Sequence, residues 1–106
     1  MKFIVAIVQN QDSNRLRRAF VHEHIQATQL RSTGGFLREG NTTFLIGVKD
    51  EEVQSVLDVI KDNAKSREQY LSSSNMNIEG GSSYPVNIKV GGAAIFVLPV
   101  DSFYHF

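Results

Sequence analysis

Two apolar runs near the ends of the chain constrain its fold more than anything between them. They are "KFIVAIVQ" from Lys2 and "AAIFVLPV" from Ala93. Neither alternates with polar residues, and β-branched side chains dominate, so both read as strands buried on two faces. Between them the chain supplies only two amphipathic helical stretches. In the first, Leu16, Ala19 and Phe20 fall at i, i+3 and i+4 beside Arg15, Arg17 and Arg18, with Asp12 or Ser13 as the N-cap. A helix from about Ser13 to His24 is expected. In the second, Asp50-Glu51-Glu52 place a cap and acids at the positive helix end. Val53, Val56, Leu57, Ile60 and Ala64 then form the apolar stripe, and helix-friendly polar residues carry it to about Arg67.

The remaining segments read as strands and loops. "QATQLRST" alternates, with Thr28, Leu30 and Ser32 on one side, and Thr42 to Val48 puts Phe44, Ile46 and Val48 on one face. "YPVNIKV" alternates Val86, Ile88 and Val90 before a Gly91-Gly92 turn. A short loop spans about 33–41 and a long Gly/Ser-rich loop about 72–84, the second expected to be mobile. The order is β-α-β-β-α-β with an extra C-terminal strand, an α+β ferredoxin-like sandwich built as a single domain over 1–106. Two helices shield only one face of such a sheet. Runs apolar on both faces therefore need a second cover, most simply other copies of the chain, and a homo-oligomer is expected.

Composition excludes several function classes. Lys+Arg and Asp+Glu each number 11, so no basic footprint exists for nucleic-acid polymer or anionic membrane. Cysteine is absent, which removes disulfides, thiolate metal sites and thiol nucleophiles. The apolar run after Met1-Lys2 is too short for a signal h-region or a membrane span, so the expectation is a cytoplasmic protein without membrane insertion.

Acid–base machinery is not apparent. His22 and His24, at i and i+2, diverge on a helix and make a poor chelate, and no third ligand stands nearby. Asp50-Glu51-Glu52 is accounted for as a helix start. No serine has a nucleophile-elbow context, and there is no Walker or dinucleotide fingerprint. No catalytic or metal-ligating residue is assigned, and no cofactor. What remains is "STGGFLREGNTTFLIGV", Ser32 to Val48. Its glycines free backbone N–H groups for a polar ligand, Phe36 offers a stacking face, and Asn41, Thr28 and Thr33 supply hydrogen bonds. From the residues alone, a hairpin whose Phe36 and Leu37 pack on a neighbouring subunit is the leading reading, and a nucleotide wall is the rival.

The blocks "IVAIVQNQDS", "TGGFLREGNTTFLIGV", "REQ" and "VGGAAIFVLPV" resemble the PII-like cyclic di-AMP receptors of Firmicutes over nearly the whole chain. The resemblance implies a homotrimer with one cyclic di-AMP site in each cleft between neighbours and no catalysis. It also implies that the two loops reorder on binding and report messenger level to an unidentified protein partner. By position, Thr28 would bond a phosphate. Gly35, Phe36 and Leu37 would wall one adenine, with Phe36 stacking. Asn41 would read that adenine's edge, and Gly47 would lie where a side chain would collide. Phe96 and the terminal tail would complete the cleft.

Three departures from the family pattern stand out. The family's ligand-contacting arginine is replaced by Gln26, His105 stands where glutamine is usual, and the long loop is shortened. Loss of one charge-assisted bond predicts about 1.5–3 kcal/mol, roughly ten- to 150-fold in affinity. The alternative implied is a diverged paralogue that binds another adenine nucleotide or none.

Overall fold

The computed structural model describes residues 1–32, 40–71 and 86–106. Strand β1 (Lys2–Gln9) runs directly into helix α1 (Asn10–His22). β2 (Thr28–Ser32) and β3 (Asn41–Val48) follow, and a 3-10 turn over Asp50–Glu52 leads into helix α2 (Val53–Ala64). The chain ends with β4 (Arg67–Leu71), β5 (Val86–Val90) and β6 (Ala93–Pro99).

Four strands form an antiparallel sheet in the order β2-β3-β1-β6, and β4 and β5 form a separate antiparallel ribbon. The expected α+β architecture is present: the sheet order and the two helices match a ferredoxin-like fold. The surplus over the four-stranded sheet is two strands rather than one extra at the C-terminus: β4 and β5, which precede the last strand of the sheet and pair with each other. Gly91 and Gly92, at φ 81° and 100°, turn the chain out of the ribbon and into the sheet, a path that L-residues rarely follow.

The core lies between the helices and one sheet face. Ile4, Ala6 and Val8 of β1 and Phe44, Ile46 and Val48 of β3 meet Leu16 and Phe20 of α1 and Val56, Ile60 and Ala64 of α2. The sequence periodicity selects Leu16, Phe20, Phe44, Ile46, Val48, Val56, Ile60 and Ala64 among these, while the uniformly apolar β1 leaves its helix-covered face to the structure. Phe20 and Phe44 meet edge to face, centroids 5.3 Å apart. Such a pair contributes ~0.5–1.5 kcal/mol beyond its burial.

Three local features differ from expectation. First, α1 begins at Asn10, because its first N–H groups do not wait for a side-chain cap. The Asn10 N–H donates to the Gly40 carbonyl at 3.2 Å, which frees Asp12 for other partners. Second, α2 stops at Ala64, and Lys65 is extended, with φ −63° and ψ 151°. The Ala64 carbonyl accepts the Gly92 N–H at 2.6 Å. Third, Arg67–Leu71 is a strand, although Arg67-Glu68-Gln69 reads as helix-compatible. Its partner Val86–Val90 is remote in sequence, and strand preference depends on such pairing more than on intrinsic propensity.

The C-terminus of α1 closes with His24 at φ 59°. The Ile25 N–H donates to the Phe20 carbonyl at 2.8 Å and the His24 N–H to that of Val21 at 3.1 Å. This is a Schellman closure with histidine at the position that glycine usually takes. His24 therefore has a backbone task, and His22 lies exposed beside Glu23.

Candidate functional site

The pleat of the sheet divides each strand between two faces, and the register identifies what the second face carries. Thr28 pairs with Leu45, Leu45 with Val5, and Val5 with Phe96, giving one row across all four strands. Gly47, Phe3 and Leu98 form the next row, and Leu30, Thr43, Ile7 and Ala94 form the row on the other side. None of these rows is covered by a helix. Leu30, Phe96 and Leu98 are 44–48% exposed, and Phe3, Val5, Ile7 and Leu45 are only half-buried. An apolar surface of this continuity usually marks a binding site or an interface.

At one end of this face is a concavity of about 790 Å³ lined by Met1, Phe3, Gln26, Thr28, Leu45, Gly47 and Phe103, among others. The volume falls within the range of small-molecule pockets. Its walls are mostly hydrocarbon, and Gln26 and Thr28 supply its polar side-chain groups. Gln26 and Gly47 also line a second, more polar hollow of about 550 Å³ with Glu23, His24, Glu52 and Ser55. Among the described residues no group of three or more His, Asp or Glu side chains could hold a metal ion.

Gly47 is informative because its own chain hardly requires it. Its φ is ordinary, and a Cβ there would meet only the flexible end of Met1, at 3.4 Å. A side chain would instead project into the concavity, on the same face as Thr28 and Leu45.

The candidate residues named from sequence are thus only partly gathered. Gln26, Thr28 and Gly47 share one concavity. Phe96 is on the same face but at the opposite edge, three strand spacings or roughly 14 Å from Thr28. Asn41 starts β3, six residues from Gly47 and so roughly 20 Å along the strand, and it is buried beside Gln9. His105 is exposed in the segment after β6, where Tyr104 and Phe106 stack with centroids 6.2 Å apart. Gly35, Phe36 and Leu37, like the long loop, lie outside the described residues.

Sequence reasoning missed Met1, Phe3, Leu45, Leu98 and Phe103 as lining residues. The parity of Gly47 with Phe3 and Leu98 would have found some of them, but it requires the register. It also missed the ion pair at the root of the ribbon. Asp12 is 1% exposed, and its Oδ1 accepts from Arg15 at 3.0 Å and from Arg67 at 2.8 Å. The Arg67 guanidinium also reaches Oδ2 at 3.4 Å and the Lys65 carbonyl at 3.2 Å. The hydrogen bond to Asp12 raises the Arg67 pKa above its ordinary value. Arg15 continues to the Asn63 carbonyl, at 2.6 and 3.1 Å, placing a cation at the negative end of α2.

Two comparisons bear on this arrangement. The chain is similar over 99% of its length to a solved structure, described as a functionally unknown protein from Pediococcus pentosaceus ATCC 25745. Identity is 42%, the TM-score is 0.83, and 96% of that chain is covered. A family model described as "Cyclic-di-AMP receptor" matches residues 1–106, the full span of the sequence. The chain belongs to the cyclic-di-AMP receptor family.

Proposed function

We propose that this protein is a homotrimeric signal-transduction receptor that binds cyclic di-AMP in clefts between subunits. In this reading it performs no catalysis and relays messenger level to a protein partner through its loops. The observation that carries the reading is the uncovered apolar face, with a partly walled concavity at one end and Asn41 at the other. One chain holds Gln26, Thr28 and Gly47 together but keeps Asn41 roughly 20 Å along the strand from Gly47. A second subunit seated on that face would cover Leu45, Phe96 and Leu98 and supply the missing wall.

Within the cleft, Thr28 donates to a phosphate and Gly47 lets the ligand approach the backbone of β3. Phe36, with Gly35 and Leu37, stacks on an adenine, and Asn41 reads its edge. Phe96 and the tail bearing His105 close the site. Gln26 faces the same concavity, but it lacks the charge and fork geometry of the arginine usual in the family. It is the observation that favours a second reading, a diverged paralogue with another adenine nucleotide or no ligand.

Calorimetry with cyclic di-AMP, ATP and cyclic di-GMP, paired with light scattering for mass, tests the proposal. Selective saturation by cyclic di-AMP at one site per subunit of a trimer supports it. Absence of heat with every nucleotide, with cyclic di-AMP binding restored by Gln26→Arg, selects the diverged paralogue. A monomer at all concentrations overturns the cleft.

A further inference from the structure

The start of β3 and the base of the β4–β5 ribbon meet on the same four residues. Gln9, Asn10, Gln11 and Asp12 end β1 and start α1; Gln9, Asn10 and Asp12 bond to the molecule around them, and Gln11 bonds to Gln9. Toward the short loop, the Asn10 N–H donates to the Gly40 carbonyl at 3.2 Å, and the Thr42 hydroxyl donates to Asn10 Oδ1 at 2.7 Å. Gly40 sits at φ 84° against the Asn10 amide, where an added Cβ would stand 2.9 Å from Nδ2. Asn41 lies between these two anchored residues and pairs with Gln9.

Toward the ribbon, Gln9 Oε1 accepts the Gly91 N–H at 2.8 Å, and Gln11 Nε2 donates to the same oxygen at 3.0 Å. Asp12 takes Arg67, the first residue of β4. Gly91 is packed so closely beneath these groups that a Cβ would collide with the Arg67 guanidinium and stand 2.7 Å from the Lys65 carbonyl oxygen. Gln9 and Asp12 are buried, so water does not readily replace the bonds they make.

We propose that the Gln9–Asp12 turn is a shared clamp that positions Asn41 and couples the entrance of β3 to the β4–β5 ribbon. Displacement of Gly40–Thr42 moves the Asn10 end of the turn. The same rigid turn carries Gln9 and Asp12, whose partners are Gly91 and Arg67. The coupling is a property of the protein without ligand, and it is reciprocal, as linkage requires. Its use as the relay between nucleotide and long loop rests on the binding site proposed above.

Amide hydrogen exchange of the nucleotide-free protein tests the clamp, because each half of it carries a reporter N–H. Thr42→Val removes the hydroxyl on the short-loop side and is read at Gly91. Arg67→Met removes the guanidinium on the ribbon side and is read at Asn10. Each rate is taken relative to the amide of Ile46 in the core, which corrects for global opening. The expected result is about threefold to tenfold faster exchange at the remote reporter in both directions, the size of one lost hydrogen bond. Thr42→Ser, which keeps the hydroxyl, should restore protection at Gly91. Asn10→Ala removes the same bond from an exposed position and serves if Thr42→Val does not fold. Unchanged relative exchange at Gly91 and Asn10 overturns the clamp.

Saturating cyclic di-AMP should shift Gly91 protection in the wild type and not in Thr42→Val. Bound wild type with unchanged Gly91 protection overturns the relay. A wild type that binds no cyclic di-AMP while the ligand-free coupling holds overturns the functional reading alone.

Discussion

Along β1, Ile4, Ala6 and Val8 are fully buried, while Phe3, Val5 and Ile7, on alternate positions of the same strand, remain half-open. The two faces differ little in the residues that β1 gives them. They differ in what arrives from elsewhere in the chain, because both helices pack on one side. An uncovered face of this composition is therefore not a poorly made core. It is an apolar sheet face that neither described helix covers, with a concavity at its rim that Gly47 helps to line.

The sharpest way to break this comparison is to truncate neighbouring residues of β3. Phe44→Ala, under the helices, should cost about 3–5 kcal/mol in urea unfolding at any protein concentration. Leu45→Ala, on the open face, should cost about 1 kcal/mol in dilute protein and more as subunits assemble. Equal, concentration-independent losses would show that the open face works as an ordinary core and would remove the argument for assembly.

Gly47→Val refines the comparison within the open face. The backbone there is ordinary and the strand favours a β-branched residue, so the melting midpoint should hold or rise. Cyclic di-AMP affinity should fall by about 2–3 kcal/mol, roughly 30- to 150-fold, as an overpacked site requires. Unchanged affinity would place the ligand away from this concavity.

A smaller effect belongs to the covered side alone. His24→Gly relieves a left-handed backbone at the end of α1 and should stabilise the chain by about 1 kcal/mol, measured as a raised melting midpoint. Destabilisation instead would mean that the His24 side chain, beside the polar hollow, makes a contact worth more than the strain.

The smallest effect involves Met1, which lines the concavity and whose amino group meets Asp50 at 2.9 Å. The hydrogen bond from that amino group lowers the Asp50 pKa below its ordinary value. A carboxyl depressed in the folded state stabilises above its unfolded pKa, and that stability is lost as pH falls through the folded value. Asp50→Asn should therefore lower the midpoint slightly at pH 7 and by less at pH 3, with both effects smaller in high salt. A drop of the same size at both pH values would assign Asp50 a role other than this ion pair.

Much of the fold was legible in advance for identifiable reasons. Phe44 to Val48 and Val56 to Ala64 carry periods of two and 3.6, so their elements and buried faces follow locally, whereas Ile4 to Val8 is apolar throughout and shows only that it is a strand. Gln26 and Gly47 enter the candidate site only through the resemblance, since no local pattern distinguishes them from loop and strand filler, whereas Thr28 is also a candidate for its hydroxyl. The strand Arg67–Leu71 was not legible. Its composition suits a helix, and its partner is too far along the chain for any window to include both.

By itself, the sequence determined both helices, every strand except Arg67–Leu71, the apolar excess that two helices cannot cover, and the family. These follow from short-range periodicity and from blocks of adjacent residues. Only the tertiary structure decided that Thr28, Leu45, Val5 and Phe96 stand in one row, or that Asp12 serves Arg67 rather than capping its own helix. It alone showed that the Gln9–Asp12 turn is bonded both to the start of β3 and to the base of the β4–β5 ribbon. Those facts depend on strand register and on bonds between residues far apart in the chain, such as the 82 positions between Gln9 and Gly91, which no local pattern encodes.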